Sequence, residues 1–175
     1  MPTQFNRFAV LLHWLSAILV MLLLFAGNQM LAPIENSDPL KIGALQGHGA
    51  LGILVGLLTL IRLINIKMRG KPTDISPQGS FMARASSLAH KLLYVLILAV
   101  AASGVTMAVA VDLPAVIAGQ AMLPESFHHL SARTAHGIRT KLLALTILGH
   151  IAAALYHQFI LKDGLMSRMR FKRLD

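Results

Sequence analysis

Four long apolar stretches constrain this chain more than any other feature. Phe8 to Leu31 is interrupted only by His13, Ser16, Asn28 and Gln29. Ile42 to Ile66 carries His48 and Arg62. Phe81 to Val111 is richest from Leu88 to Ala110, and Ala135 to Leu161 from Leu142 to Ile160. A membrane-crossing helix needs about 20 mostly apolar residues. The spacing predicts spans at about 8–31, 42–66, 86–111 and 135–161. None of these stretches alternates polar with apolar, and all exceed the length of a barrel strand. The expectation is an all-α integral membrane four-helix bundle, a single domain over 1–175. Composition agrees, with 55% hydrophobic and only 13% charged residues, about half the charged share of a soluble domain.

The connections are short and turn-rich. Residues 32–41 hold Pro33, Asn36, Ser37, Asp38 and Pro39, and residues 67–80 hold Gly70, Pro72, Pro77 and Gly79. The longest connection, Asp112 to Ser131, is semi-apolar and is expected at the membrane surface as a short helix ending near Pro124. The first stretch begins with one basic residue, lacks a small-x-small cleavage site and carries His13-Trp14. It reads as a span rather than a secretory signal.

Charge supplies an orientation. One side holds Arg7, Arg62, Lys67, Arg69, Lys71, Arg84, Lys91, Lys162, Arg168, Arg170, Lys172 and Arg173 against Asp74, Asp163 and Asp175, a net +9. The other side balances Lys41, Arg133, Arg139 and Lys141 against Glu35, Asp38, Asp112 and Glu125. The whole excess of +9 lies on one side, so the positive-inside rule places both termini in the cytoplasm. The basic tail reads as this topology signal with lipid headgroup contact, not as a nucleic-acid site.

Eight histidines are present and no cysteine. The missing thiols exclude disulfides, cysteine-ligated zinc, iron–sulfur clusters and haem attached through CxxCH. Ionisable groups inside spans are costly and usually functional. His13, His48, His90, His136, His150 and His157 fall on predicted helices, and no acid lies inside a span. Zinc wants three or four close ligands. Haem iron accepts one or two imidazoles on its axis, which suits a bundle interior. His136 and His150 are fourteen residues apart, about 21 Å along one helix face. That spacing allows two stacked haems, close enough for electron tunnelling, in a hydrocarbon core about 30 Å thick. His48 would then meet His136 on the outer side, and His13 would meet His150 on the inner side. His157 shares the face of His150 and matches the depth of His13 slightly better, so spacing leaves these two open. Gly43, Gly47, Gly49, Gly52 and Gly56 around His48, and Gly137, Gly149 and Ala152 to Ala154 on the fourth stretch, would let a flat ring approach the backbone.

An ordered set of residues carries a family resemblance over nearly the whole chain. It comprises His13-Trp14-Leu15, His48 with Gly52, His90 followed by Tyr94 and Gly104, and His136 with His150. Ala152-Ala153-Ala154, His157, Lys162-Asp163, Leu165, Arg168 and Met169 complete it. This set resembles the prokaryotic cytochrome b561 family, four-helix di-haem proteins of the bacterial inner membrane. Ala101 departs from a proline common in that family. The resemblance implies two haem b groups, one held by His13 and His150, the other by His48 and His136. Some members resemble superoxide oxidase, which takes electrons from superoxide at the outer face and passes them to ubiquinone.

The remaining polar groups have candidate roles around those cofactors. Arg62, His90 and His157, the last with Lys162, are candidate contacts for a haem propionate or quinone, since arginine matches carboxylates bidentately. Arg133, Arg139 and Lys141, with His128 and His129, are placed to draw in an anionic donor. The leading function is single-electron transfer from superoxide or another outer-side donor to ubiquinone. Its partners would be membrane lipid, quinone and superoxide or a redox protein, with no nucleic acid. Two alternatives stand beside it: a cytochrome b anchor subunit of a dehydrogenase or hydrogenase, and a haem-free metal or proton transporter built on histidine.

Overall fold

In the computed structural model, residues 4–171 are described, except 74, 76 and 78. Asp74, Lys172, Arg173 and Asp175, which enter the charge balance, lie outside them. The described residues form helices and turns with no strand. Helix α1 is Arg7–Ala26 and runs on as a π turn, Gly27–Leu31. Helix α2 is Leu40–Arg69 and α3 is Phe81–Ala110. A short α4, Leu113–Ile117, precedes α5, Ser131–Tyr156, which also ends in a π turn, His157–Leu161. A 3-10 turn follows at Leu165–Met169. The four long helices, with their π turns, are long and apolar enough to cross a membrane.

Local chemistry sets where these helices begin and stop. The Asn6 side chain accepts from Ala9 N–H at 2.8 Å, and Ser80 Oγ from Ala83 N–H at 3.2 Å. Each satisfies a donor that has no partner within its own helix. Asp38 Oδ1 does the same for Leu40 N–H at 2.8 Å. Gly70, at φ +74°, ends α2 by entering the left-handed region that a side chain resists. The connection from α3 to α5 departs from the expected helix ending near Pro124. Its helix is one short piece, begun by Asp112 and Pro114 and closed at Ala118. Gly119, at φ +72°, turns the chain away.

The principal packing pairs are α3 with α5, α1 with α2, and α2 with α3. Their common core takes one buried residue from each long helix: Val20, Val55, Leu96 and Leu143. Val20 lies seven residues beyond His13, Val55 seven beyond His48, and Leu143 seven from both His136 and His150. Seven residues are two helical turns, about 10 Å. The aliphatic layer therefore lies between two histidine layers. Large apolar side chains point outward, Leu145 being 67% and Phe159 65% exposed, which suits a hydrocarbon surround rather than water.

Both ends of the bundle are tied. At the terminal end, Gln4 Nε2 donates to Ser167 O at 3.1 Å, Phe5 N to Arg168 O at 3.4 Å and Trp14 Nε1 to Met169 O at 2.9 Å. Arg168 donates to Thr73 O. The segment from Gln4 into α1, the Leu165–Met169 turn and the α2–α3 connection thus form one strap. At the distal end, Asn36 Nδ2 donates to Pro124 O at 2.8 Å, joining the other two connections.

Candidate metal centre

The helices bring the imidazoles together in pairs. At the distal end, His48 of α2 faces His136 of α5, with ring centres 6.4 Å apart and planes inclined 66°. At the terminal end, His13 of α1 faces His150 of α5, with ring centres again 6.4 Å apart and planes inclined 73°. Two imidazoles on opposite sides of one metal, each with a metal–nitrogen bond of about 2 Å, have ring centres roughly 6 Å apart. Both pairs have that separation. Among the described residues, no group of three or more His, Asp or Glu is placed to hold a metal ion. Paired imidazoles suit an axially ligated haem iron better than a bare ion needing three or four donors.

Protonation supports the fit at His136. Its Nδ1 lies 3.1 Å from Ser103 Oγ, and that hydroxyl donates its own proton to Val100 O at 2.8 Å. With the hydroxyl hydrogen committed, His136 Nδ1 must carry the proton and donate it. This leaves the Nε2 lone pair for a metal, with a hydrogen-bonded partner behind the ligand. His48 and His13 differ, because their Nδ1 atoms are buried without a partner. An orphaned buried polar atom is expensive. Space is present as well. A Cβ built on Gly52, one turn from His48, meets nothing within 4 Å. A Cβ on Gly27 would come within 3.0 Å of His48 Cε1, so backbone forms one wall of that ring's seat.

The other polar residues divide between the two ends. His90 of α3 stands 5.3 Å from the His150 ring, and its Nδ1–H donates to Ser86 O at 2.7 Å. Arg62 stacks over Tyr94, 5.5 Å from the ring centre, a cation–π contact. It lies in electrostatic range of His13 and His150. His157 faces Asp163, with Nδ1 and Oδ2 2.5 Å apart. Asp163 also accepts from Leu165 N–H at 3.0 Å. Partial burial alone would raise the Asp163 carboxyl, but the bonds from His157 and Leu165 outweigh it and hold it below the ordinary carboxylate range.

At the distal end, Arg133 and Arg139 lie in electrostatic range of His136. Arg139 also reaches Ala99 O at 3.4 Å. Lys141, His128 and His129 are exposed. Sequence reasoning did not single out Ser103, Gly27 or the His157–Asp163 pairing. All three depend on the rotation of one helix against another or on the path of the chain after a span, and no periodicity within a single helix reports either.

Comparison with known proteins identifies the family. The prokaryotic cytochrome b561 family profile matches residues 4–172. The chain is 31% identical to cytochrome b562 of Cereibacter sphaeroides, over 94% of each chain. It is 24% identical to cytochrome b561 homolog 1 of Escherichia coli, over 97% of this chain and 98% of that one. It is 27% identical to homolog 2 of the same organism, over 96% and 92%. The chain belongs to the prokaryotic cytochrome b561 family, and is a membrane b-type cytochrome of electron transfer that carries haem b.

Proposed function

We propose that this cytochrome holds two haem b groups, one per end of the bundle, and passes single electrons across the bacterial inner membrane to ubiquinone. The observation that carries the reading is the pair of imidazole pairs, each with ring centres 6.4 Å apart. His13 and His150 would be the axial ligands at the terminal end, and His48 and His136 those at the distal end. When bound, haem iron alternates between its ferrous and ferric forms and so carries one electron at a time. The chain supplies neutral imidazole lone pairs, a dry aliphatic layer between the two sites, and a fixed distance between them along α5.

The lysine and arginine excess favours a cytoplasmic terminal end and an outward-facing distal end. The distal end carries Arg133 and Arg139 in range of His136. Cations there favour an anionic donor, and superoxide is the donor we propose. Two superoxide anions each give up one electron and leave as dioxygen. The two electrons, with two protons, convert one ubiquinone to ubiquinol. At the terminal end, Arg62, His90 and His157 would serve a haem propionate or the quinone.

The test is to supply superoxide enzymatically to the purified holoprotein in liposomes containing ubiquinone, and to measure haem reduction and ubiquinol formation. The reading predicts rapid haem reduction and one ubiquinol per two superoxide consumed. Haem that superoxide leaves oxidised, while a chemical reductant reduces it, would reject the donor. Haem reduced without ubiquinol would reject the acceptor.

A further inference from the structure

Lys41 is a charged residue that the proposed electron path does not use, and it is 6% exposed. It is the second residue of α2, at the positive end of that helix, where a cation is disfavoured. Its ammonium is turned back toward α1. Nζ donates to Leu31 O at 3.0 Å and to Ile34 O at 2.7 Å. Leu31 is the last residue of the π turn that ends α1, so Lys41 supplies the cation and donors that a helix C-terminus needs, from the next helix.

That turn begins at Gly27 and is closed by Ala32 N–H donating to Gly27 O at 3.0 Å. The Gly27 backbone is also the surface against which the His48 ring rests, since a Cβ there would stand 3.0 Å from Cε1. His48 Nδ1 is buried without a hydrogen-bond partner, so packing alone sets the angle of its ring. His136, across the pair, is held differently, by the Ser103 hydroxyl. In a close-packed interior, a small displacement of the supporting turn passes directly to the side chain on it.

We propose that Lys41 is a positioning residue of the distal haem site: by holding the π turn Gly27–Leu31, it sets through Gly27 the orientation of the His48 imidazole. This rests on His48 being an axial ligand, as proposed above.

The test compares the oxidised holoprotein with Lys41→Met, Gly27→Ala, the double variant and His48→Ala. Low-temperature EPR of ferric haem reads the relative orientation of the two ligand planes, and a redox titration reads the potentials. Lys41→Met should shift the distal haem's low-spin signal and leave the terminal haem's signal in place. Gly27→Ala, which keeps the charge, should shift the same signal. The double variant should shift it no further than the larger single change, because the two substitutions act through one turn.

An unchanged distal signal in Lys41→Met overturns the proposal. So does a change of distal potential in Lys41→Met with the EPR signal in place, which would mark Lys41 as a nearby charge only. If Lys41→Met does not assemble, an unchanged signal in Gly27→Ala overturns it equally. Retention of both haems by His48→Ala overturns the ligand assignment, and the Lys41 proposal with it. Loss of the distal haem there, beside an unaltered Lys41→Met signal, overturns the Lys41 proposal alone.

Discussion

On the two-haem proposal, replacing Ser103 by alanine tests how the protein would set the potential of the distal haem. The hydroxyl accepts the His136 Nδ1 proton at 3.1 Å. A partner behind a ligating imidazole makes it a stronger electron donor, which favours the ferric state. A neutral hydrogen bond of this kind contributes about 0.5–1.5 kcal/mol. For a one-electron couple about 59 mV is a tenfold change, so if the whole bond belonged to the ferric state its loss would raise the potential by roughly 20–65 mV. The Val100 carbonyl limits the effect. It accepts the Ser103 hydroxyl proton at 2.8 Å and interacts with His136 as well. Freed of Ser103, it can take up part of the imidazole bond, so the lower half of that range, about 20–40 mV, is expected. The assay is a potentiometric titration of the b-type absorbance, with the two haems resolved. Ser103→Ala should raise only the distal potential, and Ser103→Thr should leave both near their original values. A downward shift, or an equal shift of both haems, would falsify the argument.

Three further outcomes are expected. His157→Ala should keep both haems, because His157 is bonded to Asp163 while His150 faces His13; loss of the terminal haem, seen as haem content per chain, would contradict this. Acid should loosen the terminal strap. A carboxylate whose folded value is lowered stabilises the fold above the unfolded value, about 4, and loses that contribution as pH falls through the folded one. The sole tryptophan, Trp14, donates to Met169 in that strap, so its fluorescence should change below about pH 4, and Asp163→Asn should remove that transition. Neutralising Arg133, Arg139 and Lys141 together should slow haem reduction by superoxide and abolish its salt dependence, since exposed charges are screened within about 8 Å at physiological ionic strength; a rate indifferent to both changes would reject steering.

The long helices were legible because the bilayer requirement is one-dimensional. A run of apolar residues either reaches the needed length or does not, and Phe8 to Leu31 or Ile42 to Ile66 can be measured by counting. The vertical arrangement of His136 and His150 was legible for the same reason, since residues fourteen apart nearly share a helix face. Contacts between helices were not. Ser103 looks like any small polar residue of a span until α3 is set against α5. Lys41 counts as one more base on the neutral side, and only the folded loop shows that its ammonium caps α1. Spacing leaves His150 and His157 open as ligands because both lie on one face, and His150 is taken from the family resemblance. The His157–Asp163 pairing depends on the path of the chain after Leu161, where Lys162 takes a φ of +52° and returns Asp163 to His157. The helix expected to end near Pro124 failed on local backbone chemistry: Gly119 turns the chain five residues earlier.

The most direct test of the two-site account is haem content and reduced-minus-oxidised spectra of four alanine variants, each purified in detergent beside the parent protein. Two haems per chain are expected in the parent. His48→Ala and His136→Ala should each retain one haem, with the same spectrum and potential as one another, because both empty the distal site. His13→Ala and His150→Ala should each retain the other haem. Matching losses across the wrong pairs, such as His48 with His150, or a parent protein carrying a single haem, would contradict the account.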